Sequence, residues 1–185
     1  FDQIMHARAV TLLELETDLR LAVERNEFEL FYQPIVNLDN VKLVGFEALV
    51  RWNHPNRGLI TPGEFISVAE STGLIVPMTT GLLRSACEQV VAWHEKGLAP
   101  YDLAVSVNLS AVHLAHRGLV DEIRAIIFET GIEAECLKLE ITESAVLGDP
   151  KGAIILLNDI RDLGFRLRVD DFGTGYSSLA YLKKL

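Results

Sequence analysis

With 185 residues the chain is long enough for one large domain with a sizeable core, and its 49% hydrophobic content argues against disorder. Seventeen basic against 26 acidic residues leave a net charge of −9, which argues against non-specific binding to duplex nucleic acid by phosphate neutralisation. No apolar run reaches the length of a membrane span and no secretory leader pattern opens the chain, so direct membrane insertion is not expected. Two cysteines, Cys87 and Cys136, make no disulfide framework, and a reducing, cytoplasmic compartment is the expectation; an anchor elsewhere in a parent protein is compatible with it.

Residues 7–25 read as a helix, with Val10, Leu13, Leu15, Leu19, Ala22 and Val23 at near-helical spacing and Asn26 as its stop. Residues 28–36 read as a strand in which Pro34 suggests an edge or an end. Asn37 to Asn40 is a turn and Val41–Val50 a second strand, so the two should form an antiparallel hairpin. Thr61-Pro62-Gly63-Glu64 announces a helix with a capping box that ends at Gly73, and a longer helix covers 77–96 before Gly97. Strands then alternate with helices: strand 103–109, helix 118–130, strand 137–142, a helix from Asp149-Pro150 to Leu163, strand 165–171, and a helix over 176–184. Such alternation implies a parallel sheet with helical crossovers, an α/β fold.

Polar residues stand near the carboxyl ends of four strands: Glu47, Asn108, Glu140 and the adjacent pair Asp170 and Asp171. The last three positions are spaced 32 and 30 residues apart, about one strand-plus-helix unit each. In an α/β barrel, strand ends converge on one face where active sites are built. Two adjacent carboxylates at a strand end call for a cation. The donors are all oxygen, and neither His nor Cys joins them, which suits Mg²⁺, Mn²⁺ or Ca²⁺ better than Zn²⁺. Each residue alone has a plainer reading. The Asp-Asp-Phe-Gly-Thr-Gly stretch can be a solvated loop, Glu47 an outward-facing strand residue, Asn108 a helix cap, and Glu140 with Glu143 an exposed acidic turn. The joint pattern favours a site. His54, His94, His113 and His116 lack a metal-ligand spacing and read as surface or packing residues. Trp93 and Cys87 read as core, and Ser110 has no partners for nucleophilic chemistry.

The residues also resemble a known family. Phe46-Glu47-Ala48-Leu49-Val50-Arg51-Trp52, Tyr32-Gln33-Pro34-Ile35, Pro62-Gly-Glu-Phe-Ile66, Ser106-Val-Asn-Leu-Ser110, Leu139-Glu-Ile-Thr-Glu-Ser144 and Asp170-Asp-Phe-Gly-Thr-Gly-Tyr-Ser-Ser178 are similar, in order and spacing, to the motifs of the EAL domain family of bacterial cyclic di-GMP phosphodiesterases. The resemblance covers nearly the whole chain from about residue 20. It implies a modified TIM barrel with an antiparallel first strand over residues 27–185. Residues 1–26 resemble the connector helix that follows a GGDEF or sensor domain. It implies hydrolysis of cyclic di-GMP to linear pGpG, with Glu47, Glu140, Asp170 and Asp171 as catalytic acids. Together with Asn108 these would hold two Mg²⁺ or Mn²⁺ ions, and Ca²⁺ would inhibit. Gln33, Leu49, Arg51, Pro62 and Phe65 would meet the ligand: Arg51 would grip a phosphate, and Leu49 and the Pro62–Phe65 segment would lie beside a guanine. Glu143 would orient the loop after Asp171. A homodimer is implied, with the Asp171–Ser178 loop near its interface.

The chain departs from the family at its end. The family barrel continues with strands that carry a site lysine and a further glutamate, and neither has a matching position before Leu185. A full barrel takes about 250 residues and eight strands, of which five are expected here. The chain also opens on Phe1, so a piece of a longer protein is the favoured account; completion by another chain and a truly truncated, inactive domain are the others. The expectation is an incomplete barrel, C-terminal part missing, with an open edge near 165–171, and a fragment inactive by itself. The alternative functions are a receptor that binds cyclic di-GMP without cutting it and a regulatory dimerisation module.

Overall fold

Helix α1 (Asp2–Arg25) is longer than the expected 7–25. Its last turns are built into the molecule: Leu19 and Ala22 are fully buried against Trp52 and Phe65. Asn26 ends the helix in left-handed backbone, φ 54°, a conformation asparagine tolerates better than most residues. The structure, a computed structural model, describes residues 2–170. Asp171, the loop to Ser178 and the helix expected over 176–184 lie outside the described residues.

Strand β1 (Phe28–Val36) has the expected bounds and pairs antiparallel with β2 (Leu43–His54), placing Gln33 opposite Glu47. β2 starts at Leu43 rather than Val41 because Val41 closes the turn in left-handed backbone, φ 57°, with its N–H bonded to the Asn37 carbonyl at 2.8 Å. It runs past Val50 to His54 because a short strand, β3 (Gly58–Ile60), folds back and pairs with Trp52–His54. The capping box at helix α2 (Pro62–Thr72) does not form. Thr61 makes no side-chain cap, and the Glu64 carboxylate instead accepts from Arg57 Nη2 at 3.2 Å. A guanidinium in the preceding turn offers a charged partner in place of a backbone N–H.

Helix α3 (Ile75–Glu95) leads to β4 (Ala104–Leu109), a single-turn helix α4 (Ala111–Leu114) and α5 (Leu119–Thr130). β5 (Leu137–Thr142) runs directly into α6 (Glu143–Gly148), followed by α7 (Pro150–Asp162) and β6 (Arg166–Asp170). Asp149 caps α7 as expected, accepting from the Gly152 N–H at 3.2 Å. β3, α4 and α6 were not foreseen from the sequence.

The sheet runs β1-β2-β4-β5-β6, with β3 off the side of β2. β1 is antiparallel, and β2, β4, β5 and β6 are parallel. Among the described residues the sheet stays open, with β6 as the terminal strand, where the open edge was expected. One face is apolar: Val105, Val107, Leu109, Leu137, Leu139 and Ile141 pack against Leu83 and Val90 of α3, Ile123 and Ile126 of α5, and Leu157 and Ile160 of α7. A second core lies under α1 and α2, around Trp52 and Phe65. With all helix-facing residues of one strand parity, the other parity is left to the opposite face, and that face carries the polar residues. The β2–β4 ladder passes through Gly45, where a Cβ would stand 2.4 Å from the Ala104 carbonyl oxygen; only glycine lets the strands approach this closely. Among the described residues no helix is long and apolar enough to cross a membrane.

Candidate active site

The parallel register lines the polar residues up in rows. Glu47, Ser106, Lys138 and Arg166 are cross-strand neighbours on β2, β4, β5 and β6. Asn108, Glu140 and Arg168 form the next row, and Thr142 with Asp170 the one after. Glu47, Asn108, Glu140 and Asp170 are thus all on the face opposite the helices, within two residues of the ends of the parallel ladders. Asn108 Nδ2 donates to Glu47 Oε1 at 3.0 Å, so residues far apart in sequence meet as expected. Glu140 is 3% exposed and Glu143, the first residue of α6, is 8% exposed; neither belongs to an exposed acidic turn. Asp171 lies outside the described residues.

Of the expected ligand contacts, Gln33 is exposed on β1 beside Glu47. Arg51 lies on the same face of β2, its guanidinium 5.5 Å from the centre of the Phe31 ring and its Nη1 bonded to the Val50 carbonyl at 2.7 Å. Leu49 and Pro62 line a cavity of about 320 Å³ that lies mostly between the strand ends and helices α2 and α3, walled by Met78, Leu82 and Leu109, and that reaches the oxygen donors at Asn108. Phe65 does not belong there. Its side chain is fully buried, with ring centres 5.7 Å from both Phe28 and Trp52, so it supports the segment from within the core and offers no face to a ligand.

Three residues of this face that stand next to an expected ligand were not read as part of the site: Ser106, Lys138 and Arg168. Ser106 is 1% exposed, and its hydroxyl has no hydrogen-bond partner among the described residues. Arg168 Nη1 donates to Glu140 Oε1 at 3.2 Å. The signal was the period of two: each stands two residues before an expected ligand on the same strand.

His54 and His113 lie in packed positions apart from the oxygen donors. His54 is buried, accepts the N–H groups of Asn56 and Arg57 at Nδ1, and bonds Asp18 through Nε2 at 3.2 Å, tying α1 to the β2–β3 turn. His113 is fully buried on α4, and its Nε2 lies 3.6 Å from Glu122 Oε2, too far for a hydrogen bond. Burial holds its pKa below the usual histidine range, against the pull of Glu122. Burial acts to raise the Glu122 pKa, but hydrogen bonds from Thr80 and His116 and the charges of both histidines bring it below the usual carboxylate range. Burial also pushes the Cys87 thiol up to about 12, so it is no nucleophile at neutral pH.

The donor chemistry fits hard divalent ions: carboxylate and amide oxygens on adjacent strands, on one face, with a deeply buried acid that requires a positive partner. Among the described residues no three His, Cys, Asp or Glu side chains converge closely enough to hold an ion between them. The set described here is partial, since it includes an amide and lacks Asp171.

Residues 16–185 match the profile of the EAL domain. The chain belongs to the EAL domain family. It is 45% identical over 185 residues to the bifunctional diguanylate cyclase/cyclic di-GMP phosphodiesterase MucR of Pseudomonas aeruginosa, an alignment covering 100% of this chain and 27% of MucR. It is 42% identical over 186 residues to the cyclic di-GMP phosphodiesterase NbdA of the same organism, covering 100% of this chain and 23% of NbdA. The solved PaMucR phosphodiesterase in complex with c-di-GMP superposes with a TM-score of 0.87 at 45% identity, over 93% of this chain and 69% of that one. The chain therefore spans about a quarter of the length of these curated relatives. The parallel sheet, its helices and the antiparallel β1 are the TIM-barrel-like arrangement of an EAL domain, as expected from the motifs.

Proposed function

We propose that the protein carrying this EAL domain hydrolyses cyclic di-GMP to linear pGpG with the help of two Mg²⁺ or Mn²⁺ ions. The observation that carries the reading is the placement of Glu47, Asn108, Glu140 and Asp170 on one face of adjacent strands, with Glu47 and Asn108 in contact at 3.0 Å. The names of MucR and NbdA support it. Glu47, Asn108, Glu140, Asp170 and Asp171 would hold the ions. Bound there, the ions would supply Lewis-acid polarisation of the phosphodiester and a lowered pKa for an attacking water.

The remaining roles belong to side chains of this domain. Arg51, steadied over Phe31, would present its N–H donors to a non-bridging phosphate oxygen, and Gln33 would hydrogen-bond the ligand beside it. The slot between Leu49 and Pro62 would take a guanine by apolar contact and keep water from the phosphate. Glu143 would steady the loop after Asp171. Residues 1–26, which include α1, would connect an upstream GGDEF or sensor domain, and the protein would work in the cytoplasm as a homodimer.

Incubation of the intact protein with cyclic di-GMP and Mg²⁺, with pGpG followed by chromatography, tests the reading. Turnover is expected, abolished by Glu47→Ala and blocked when Ca²⁺ replaces Mg²⁺. Tight binding of cyclic di-GMP without turnover overturns the enzyme and leaves a receptor.

A further inference from the structure

Arg168 stands on the site face of β6, directly across from Glu140 on β5, and two residues before Asp170. Its Nη1 lies 3.2 Å from Glu140 Oε1. The two side chains are buried very differently, 60% exposed for Arg168 and 4% for Glu140. An ionised carboxylate held away from water is unfavourable unless a cation faces it. Without a bound ion, the guanidinium supplies that charge. It reaches the acid from the solvent side, so it can swing away without leaving any buried group of its own unpaired.

We propose that Arg168 is the resident counter-charge of Glu140 and competes with the divalent cation for that carboxylate, so that it lowers the metal affinity of the site. The inference rests on the reading of Glu140 as a metal ligand. Both cations need the same oxygen atoms. A divalent ion bound to Glu140 while Arg168 stays in place would meet a like charge within a few ångströms. Displacing Arg168 instead forfeits a charge-assisted hydrogen bond. Either way the ion binds less tightly than it would beside a neutral residue. A guanidinium does not lose its charge at any physiological pH, so the competition is permanent. Arg166, on the same face one pleat earlier, is not equivalent: it turns to Glu135, 3.7 Å away.

Titration calorimetry with Mn²⁺ on the intact protein, in the absence of cyclic di-GMP, tests this. Glu140→Gln is expected to weaken Mn²⁺ binding. Arg168→Gln is expected to strengthen it, by about tenfold from the loss of one nearby positive charge. Arg168→Lys keeps the charge and should stay within a few-fold of the parent. Melting in EDTA gives a second reading: Arg168→Gln should melt lower than the parent without metal and gain a larger upward shift when Mn²⁺ is added. If Glu140→Gln binds Mn²⁺ as the parent does, or if neither protein binds it, the metal-site reading fails and this inference with it. If binding depends on Glu140 but Arg168→Gln binds no more tightly than the parent, the inference alone is overturned.

Discussion

Glu47 and Glu140 share one face of the sheet, two strands apart, and the fold gives their side chains different surroundings. Glu47 is half-buried on β2 and its near neighbour is a neutral amide, Asn108, at 3.0 Å. Glu140 is 3% exposed on β5 and its near neighbour is a full positive charge, Arg168, at 3.2 Å. Where water still reaches a carboxylate, a dipole is enough; where water is excluded, only a cation offsets the lost hydration. The two halves of the site therefore differ in what they demand before any ion arrives. The β2–β4 half sets a dipole against its acid, and the β5–β6 half sets a charge from its own sequence against its acid.

The sharpest way to break the comparison is to loosen one half and leave the other intact. Inside the β2–β4 half, Gly45 leaves no room for a Cβ against the Ala104 carbonyl oxygen at 2.4 Å. Gly45→Ala must push backbone against backbone, and a loss of about 3 kcal/mol in unfolding free energy is expected from denaturant melts. Hydrogen exchange should show weaker protection on β2 and β4, with the β5–β6 amides unchanged. A loss below about 0.5 kcal/mol would mean that the ladder yields and the β2–β4 half is not held by that contact.

A smaller effect should divide the two acids themselves. In EDTA, Glu140→Ala is expected to cost about 1–2 kcal/mol: it empties a buried site and strips Arg168 of its partner, though that exposed guanidinium regains water. Glu47→Ala removes a half-buried side chain from an exposed amide and should stay within about 0.5 kcal/mol of the parent. On the proposed function, both should abolish turnover of cyclic di-GMP by the intact protein. Equal stability losses in chemical denaturation would erase the distinction drawn between the two halves.

Much of this was legible in the sequence, because long periodic elements announce themselves. β1 and β5 have the bounds read from their residues, and the four described oxygen donors fall on one face because strand parity and the strand–helix repeat leave few alternatives. The short elements were not legible. β3 exists only because β2 is there to pair with, and α4 and α6 are single turns held by neighbours, so neither carries a period of its own. Phe65 shows the limit of composition: an aromatic residue near a binding slot and one in the core beneath it read alike until Phe28 and Trp52 are seen against it. Arg168 shows the limit of one-dimensional charge. On an isolated strand it is an exposed cation, and only the β5–β6 register brings it to Glu140.

The two buried histidines beside the β2–β4 half differ in the same way, and this gives the smallest predicted effect. His54, beside the antiparallel β2–β3 turn, has a hydrogen-bond partner at each ring nitrogen. His113, on the turn of helix that follows Asn108, is fully buried and has none at either. Thr80 of α3, His116 beyond α4 and Glu122 of α5 are the polar groups grouped around it. Its pKa is held below the ordinary value by burial, so the folded state binds this proton less readily than the unfolded chain does. Stability from the neutral imidazole is therefore fully present above about pH 6.5 and is lost as pH falls below that value towards the depressed folded pKa. The slope from this one group cannot exceed about 1.4 kcal/mol per pH unit. Glu122, with its pKa also lowered, adds loss in the same direction only below the ordinary carboxylate range. Denaturant melts at pH 7 and pH 5.5 should show the parent losing up to about 1 kcal/mol more than His113→Leu over that interval. A parent and variant that lose stability in parallel would show that His113 finds a partner on protonation, and that it is then as well satisfied as His54.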